Sequence, residues 1–303
     1  MARFGWGGRV AKSTAGGALA NGLSPAISVA GAARFLIGDQ IMPYQLSSAG
    51  VDLIDNYNAT STSNFNAARR AVLNDLLDDS AAHPFVRGYS SVAQRSLAVG
   101  ETIGALLDAP DGSGNVQAVF PAGNSLADQL KMVARMIKVS RTLGATRQVY
   151  YVRMGSFDLH QGMFEAGGAT ATSGHGELLT TLNQALGAFW TALGEISARS
   201  QVTTFTMSDF GRTLTGNGSG SDHAWGGNLL VVGDFVRIPR HTLVARAGQR
   251  APVHAGVELD AHRGGAGLLI DGLADVGDAG GEVATGVDLG AQDRLLIHVD
   301  VGK

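Results

Sequence analysis

Hydrophobic residues follow two patterns along the chain: spacings of three and four residues in the longer segments, and nearly continuous runs in the shorter ones. The first pattern predicts amphipathic helices over 65–79, 84–107 and 175–198. A fourth helix is predicted to begin with Ser125 as its N-cap and to end at Gly144. In the first helix the apolar stripe consists of Phe65, Ala68, Val72, Leu73, Leu76 and Leu77.

Short runs of β-branched and aromatic residues predict strands at 26–29, 148–154 and 201–207, and a further buried strand at 228–233. The order strand, helix, strand from 148 to 207 is typical of a βαβ unit in a parallel sheet. The predicted fold class is therefore α/β, with a mainly parallel sheet between helices. The rest of the first sixty residues is rich in Gly, Ala and Ser and predicts loops.

The composition changes near residue 237. Segment 237–303 contains no Ser, Asn, Phe, Tyr, Trp or Met, and Gly, Ala, Val, Leu, Asp, Arg and His dominate it. Translation of GC-rich codons in an unselected reading frame yields such a restricted set of amino acids. The sequence thus predicts a domain over 1–236 and an atypical tail over 237–303, which is either a non-native reading frame or an unusual Gly/Ala-rich β appendage.

Charge and cysteine content narrow the possible functions. The formal net charge of -3 and the charged fraction of 16% do not favour nucleic acid as a partner. No cysteine is present, so a metal would be held by His, Asp, Glu and other oxygen donors. No run reaches the roughly 18 uncharged residues of a membrane span. Residues 1–20 carry no recognisable export signal.

Acidic and imidazole side chains follow two of the predicted strands. Asp158 and His160 come after 148–154, and an extended backbone would place both on one face. Asp209 comes just after 201–207. Because open α/β sheets bind ligands outside the carboxyl ends of their strands, these side chains are expected at one edge. Taken alone, Asp209 could equally be a helix cap or a turn former.

A Gly/Ser-rich loop connects Asp209 to a second pair, Asp222 and His223. Neutral imidazole and ionised carboxylate suit Zn²⁺, Mn²⁺ or a related divalent ion, and an open site can activate water. Arg212 could pair with a phosphate or sulfate oxygen. His175 precedes a long helix, so it is either a weak site candidate or an ordinary first-turn residue.

The stretches GSFDLHQ, HGELLTTLNQALGAFWTAL and VTTFTMSDFGRTLTGNGSGSDHAWGG resemble the domain-of-unknown-function 1501 family, bacterial proteins related in fold to alkaline phosphatases and sulfatases. GWGGRV and MPYQLSSAGV are similar to its middle region, so the resemblance covers residues 4–236. It implies a three-layer αβα sandwich of the alkaline-phosphatase type. It also implies one or two divalent cations (Zn, Mn, Mg or Ca) beside a Ser, Thr or modified-Cys nucleophile.

Carried onto this chain, the resemblance implies that four residues line the metal site: Asp158, His160, Asp209 and His223. Their neighbours, which could orient the ligands or hold an anion, would be Asp222, Arg212 and His175. The expected substrate is a small-molecule or polymeric anionic ester.

The chain departs from the family pattern at both ends. The family's twin-arginine export signal and its first strand, which ends in Arg-Gly-Gly-x-Asp-Gly, are not in this sequence, so the domain is expected to be incomplete. Family members are typically periplasmic or exported. Ser156 and Ala224 stand where glycines are usual. The sequence supports two hypotheses: a metal-dependent phosphate or sulfate ester hydrolase, or a non-catalytic exported binding or surface protein with a structural or vestigial metal site.

Overall fold

The computed structural model describes residues 4–15, 22–51, 64–78, 83–140, 142–145, 147–164, 174–227, 229–234 and 295–301. Its helices are α1 (Trp6–Ala15), α2 (Asn64–Leu77), α3 (Pro84–Leu107), α4 (Ser125–Ser140) and α5 (Gly174–Glu195). Its strands are β1 (Ala26–Ser28), β2 (Tyr44–Gln45), β3 (Val149–Arg153), β4 (Val202–Met207), β5 (Gly211–Arg212), β6 (His223–Ala224), β7 (Val231–Val232) and β8 (Leu295–Asp300).

Six strands form one mixed, mostly parallel sheet in the order β2-β1-β3-β8-β4-β7. All neighbours are parallel except β4 and β7, which are antiparallel. Strands β5 and β6 form a separate two-stranded ribbon. The predicted α/β class with a mainly parallel sheet is confirmed, and β3, α5 and β4 form the predicted parallel unit with β8 inserted between its two strands.

Helices cover both faces of this sheet. Side chains alternate between the two faces along each strand, so successive residues of β3 enter different cores. Tyr150 and Val152 of β3 enter a core formed with the apolar residues of α3, α4 and α5. Tyr151 enters a second, smaller core with α1 and the turn around Leu36. The carboxyl ends of β3, β8 and β4 lie side by side at one edge, which is where the candidate site is found.

Most predicted elements appear near their predicted bounds, and three differ. Helix α1 was missed because two consecutive glycines, Gly7 and Gly8, lower the helical propensity of its first turn. Helix α4 is capped by Asn124, whose Oδ1 accepts from the Ala127 N–H at 3.0 Å, rather than by Ser125. The predicted strand 228–233 was expected to be buried, whereas β7 is a short, half-buried edge strand.

Strand β8 lies in the segment whose composition is atypical. It pairs with β3 and β4 in parallel, and His298 stands opposite both Tyr151 and Phe205. Of residues 237–303 the structure describes 295–301. The division at 237 stays a prediction, and the described end of the tail lies in the middle of the sheet.

His298 is an uncharged residue of the smaller core. Its ring lies 5.2 Å from that of Phe205 and 4.2 Å from that of Phe35. Neither ring nitrogen has a hydrogen-bond partner within the part of the chain that the structure describes. Burial lowers the pKa of His298 to about 4, so the ring is neutral near pH 7.

Among the described helices, none combines the length and the apolar character needed to cross a membrane.

Candidate metal centre

Two chain segments meet at the carboxyl edge of the sheet. The first follows β3 and contains Asp158 and His160. The second is the loop 208–227 after β4, which folds back on itself because β5 and β6 pair with Arg212 opposite His223. This ribbon carries His223 back toward the end of β3.

Asp158, His160 and His223 form a compact group, with one ligand atom from each within 4.8 Å of the others. The Asp158 Oδ1 atom lies 2.6 Å from His223 Nε2 and 3.1 Å from His160 Nε2. The side chains of Asp158, His160 and His223 are 28%, 49% and 34% exposed, so the group is open to solvent on one side. Three of the four predicted ligands are therefore brought together.

The donor set fits a divalent cation. Ligands at zinc-type distances of about 2.0–2.1 Å in a tetrahedron are roughly 3.3 Å apart. The 3.1 Å separation of Asp158 and His160 is already close to this value, whereas His223, at 2.6 Å, would move about 0.7 Å away from Asp158 to admit the ion. Two imidazoles and one carboxylate suit Zn²⁺ or Mn²⁺ better than Mg²⁺ or Ca²⁺, which take mainly oxygen ligands. Of the predicted candidate metals, zinc and manganese match this group best.

The second ring nitrogen of His160 contacts Asp222. His160 Nδ1 lies 3.2 Å from Asp222 Oδ1. A proton on Nδ1 that is donated to this carboxylate leaves the Nε2 lone pair directed toward Asp158 and His223. Carboxylates in this position fix the tautomer of a metal-binding histidine and raise its basicity. Asp222 therefore has the geometry of an orienting residue, as the sequence suggested.

Arg212 links the segment after β3 to the loop 208–227 through hydrogen bonds. Its guanidinium donates to the carbonyl oxygen of Ser221 and, at 2.6 Å, to that of Phe157. It also lies over the ring of Phe210, 5.0 Å from the centroid, and Phe210 stacks on His223 at 4.6 Å. The predicted anion-binding arginine is thus engaged with backbone carbonyls, and its geometry is that of a positioning residue.

The Gly/Ser-rich part of the loop is attached to the first segment. Asn217 donates from Nδ2 to the His160 carbonyl oxygen at 3.0 Å and accepts at Oδ1 from the Gly220 N–H at 3.0 Å. A Cβ atom at Gly220 would lie 2.4 Å from the same His160 oxygen. Only glycine permits this approach. Apart from the small-residue composition of the loop, no local pattern predicts this role of Asn217 and Gly220.

Asp209 lies outside the group. It is exposed, two residues beyond Met207, which ends β4. Burial raises the pKa of Tyr151, and a hydrogen bond to Asp300 and the charge of Asp209 raise it further. The Tyr151 hydroxyl donates to Asp300 at 2.5 Å. Asp209 follows β4, as the sequence predicts, but its carboxylate does not belong to the group of converging ligand atoms.

His175 lies in the first turn of α5 and is not a member of the group. Its ring meets that of Phe157 edge-on at 5.8 Å, and its buried Nδ1 atom has no partner among the described residues. Burial lowers the pKa of His175, and the charge of Arg212 lowers it further. This surrounding is that of a neutral packing residue.

The contact between Asp158 and His160 has a different origin from the one predicted. Strand β3 ends at Arg153, and Ser156 has a positive φ of 74°, so the extended backbone does not continue. A tight turn follows, in which the Leu159 N–H donates to the Phe157 carbonyl oxygen at 2.8 Å. The turn, rather than strand alternation, brings the two side chains together.

Comparison with known proteins identifies the family. A family model described as "Protein of unknown function (DUF1501)" matches residues 37–240. No curated protein and no solved structure matches the chain. The matched region covers more than half of the chain and contains every residue of the candidate site. The chain therefore belongs to the DUF1501 family.

Proposed function

We propose that the protein is a divalent-metal-dependent hydrolase of phosphate or sulfate esters, with Asp158, His160 and His223 as the metal ligands. The observation that supports this most directly is the convergence of their three ligand atoms within 4.8 Å. The group lies outside the carboxyl ends of parallel strands, where α/β proteins bind their ligands.

Three protein ligands leave a coordination position open, which is the pattern of catalytic rather than structural sites. A bound divalent ion would lower the pKa of a water molecule and polarise an ester oxygen. The chain's own residues prepare the site: Asp222 orients His160, and Arg212 holds the loop. Arg212 also contributes a positive charge beside the group, which favours an anionic substrate without a direct contact.

A second function has support of its own. The cluster and the Arg212 contacts join the segment 157–160 to the loop 208–227. A cation here would stabilise the loop whether or not any reaction occurs. The alternative is therefore a binding or surface protein with a structural metal site.

An ester-hydrolysis assay separates these functions. The purified protein, loaded with Zn²⁺ or Mn²⁺, is expected to release p-nitrophenol from p-nitrophenyl phosphate or p-nitrophenyl sulfate. Asp158→Asn is expected to abolish this release, because it removes the carboxylate that both imidazoles contact. Asp128→Asn, an exposed carboxylate of α4, is the matched control and should hydrolyse the ester like the wild type.

The outcomes are distinct. Stoichiometric metal with no release from either ester supports the structural site and contradicts the hydrolase. Release that survives Asp158→Asn contradicts the assignment of the ligands.

A further inference from the structure

Helices α2 and α3 expose an apolar face. Seven large hydrophobic side chains on this helix pair are between 45% and 84% exposed. These are Phe65, Val72 and Leu76 on α2, and Phe85, Val86, Tyr89 and Val92 on α3. We name this set the arm face.

Only part of the predicted apolar stripe of α2 is covered. The spacing of Phe65, Val72 and Leu76 is that of a helix side that packs against a core. In the structure α2 contacts α3, and Leu77 of the same stripe is buried, whereas Phe65, Val72 and Leu76 stay exposed. An amphipathic stripe that no described element covers calls for another apolar surface.

The size of the arm face suits a protein interface. Its three aromatic rings, 67%, 84% and 72% exposed, present roughly 450 Å² if a full ring offers about 200 Å². The four aliphatic side chains bring the total to the order of 800 Å², the share of one partner in a stable interface. Because α2 and α3 contact each other, these side chains are concentrated on one helix pair and are not scattered singly over the surface.

The charges on α2 indicate which partner fits. Arg69 and Asp75 are both exposed, and each lies three residues from Val72. If two α2 helices cross antiparallel about a two-fold axis at Val72, Arg69 of each copy lies at the level of Asp75 of the other, on the neighbouring flank, a gap that the long arginine side chain can span. The same axis brings Ala68 to the level of Leu76. The stripe is therefore complementary to itself, as an isologous interface requires.

The geometry points to a homodimer in which the arm faces of two copies pack together as a four-helix bundle. The interface places Val72 at the axis and the apolar residues of α2 and α3 in the core of the bundle. Two symmetric Arg69–Asp75 pairs fix the antiparallel register. This inference is independent of the metal site.

Sedimentation equilibrium of the full chain tests the dimer. The wild type is expected to have twice the mass of one chain. Val72→Asp should be monomeric, because two carboxylates would meet at the axis. Val119→Asp is the control, since Val119 is 89% exposed but lies outside the arm face, and it should remain dimeric. Circular dichroism checks that every variant keeps its helices.

A charge exchange supplies the stricter test. Arg69→Asp alone should weaken dimerisation by about tenfold, because two attractive pairs become repulsive. Arg69→Asp combined with Asp75→Arg should restore the wild-type dissociation constant. A monomeric wild type, a dimeric Val72→Asp, or a double variant no tighter than the single one overturns the proposal. A monomeric wild type would indicate that the arm face binds a partner other than a second copy of the chain.

Discussion

The backbone at Ser156 adopts a conformation that glycine adopts more readily. Its φ of 74° lies in the left-handed region, where a Cβ atom contacts the backbone unfavourably. The position directly precedes the turn that brings Asp158 to His160. The sequence had marked Ser156 as standing where the family usually has glycine, and the structure supplies a physical reason for that preference.

Ser156→Gly is expected to stabilise the protein. Relief of the left-handed strain, about 1–2 kcal/mol, exceeds the roughly 0.5–1 kcal/mol that glycine's extra freedom costs in the unfolded state. A net gain of about 1 kcal/mol would raise Tm by roughly 2 °C. Thermal unfolding of the metal-free protein measures this change in Tm. Ser48→Gly, an exposed serine whose φ is not positive, should not raise Tm, and an equal rise in both variants would contradict the explanation.

The sequence identified Asp158, His160 and His223 because each follows a recognisable strand or lies in a distinctive loop. The sequence could not show that Asp209, predicted as a ligand on the same grounds, lies outside the group. A strand pattern shows that a residue comes after a strand, but the direction of its side chain depends on the path of the loop. That path is set by long-range contacts, such as the one between Arg212 and the Phe157 carbonyl, which no local pattern encodes.

At the scale of elements, the loop after β4 is held by backbone contacts as much as by its charged side chains. The Met163 N–H donates to the Ser219 carbonyl oxygen at 2.8 Å, and the Thr213 N–H donates to that of Asp222 at 2.9 Å. Gly220 allows the loop to touch the backbone of His160. A loop with the composition of a flexible linker is thereby given a fixed path.

Gly220→Ala is expected to weaken metal binding. The added Cβ would lie 2.4 Å from the His160 carbonyl oxygen, and the loop would have to move away from His160. Disturbing the groups that orient ligands typically lowers metal affinity by about 10–100-fold. Competition with a chelator measures the change. Gly227→Ala is the control, since nothing lies within 4 Å of its added Cβ, and equal affinities in the two variants would show that the close approach is unimportant.

The sequence predicted the existence and bounds of helices α2 to α5 and left the packing of α2 open. The bounds of α3 agree with the predicted 84–107, and the apolar stripe of α2 was recognised. Periodicity shows that a helix has an apolar side, but it does not show which partner covers that side. For α2 the partner that fits is a second copy of the chain.

At the scale of the whole molecule, the central feature is strand β8, whose sequence LLIHVDV at 295–301 has the local pattern of a strand but lies in the segment that composition set apart. Strand β8 lies between β3 and β4 and is 142 residues after the Arg153 that ends β3, counting from Arg153 to Leu295. A local pattern can mark each segment as a strand, but it does not show that two strands so far apart in sequence pair with each other. The strand also brings Asp300 beside Tyr151, so the edge of the sheet near the metal group is more acidic than the loops alone would make it.

The most direct test of the metal centre is an equilibrium titration of the metal-free chain with Zn²⁺ and with Mn²⁺. The wild type is expected to bind a single ion of one of these metals per chain at the site of Asp158, His160 and His223. Asp158→Asn, His160→Ala and His223→Ala should each lose it, because each removes one of three converging ligands. Asp209→Asn should keep it, because Asp209 is not a member of the group. A wild type that binds neither ion, or a chain that loses its ion with Asp209→Asn and retains it with Asp158→Asn, would contradict this metal centre.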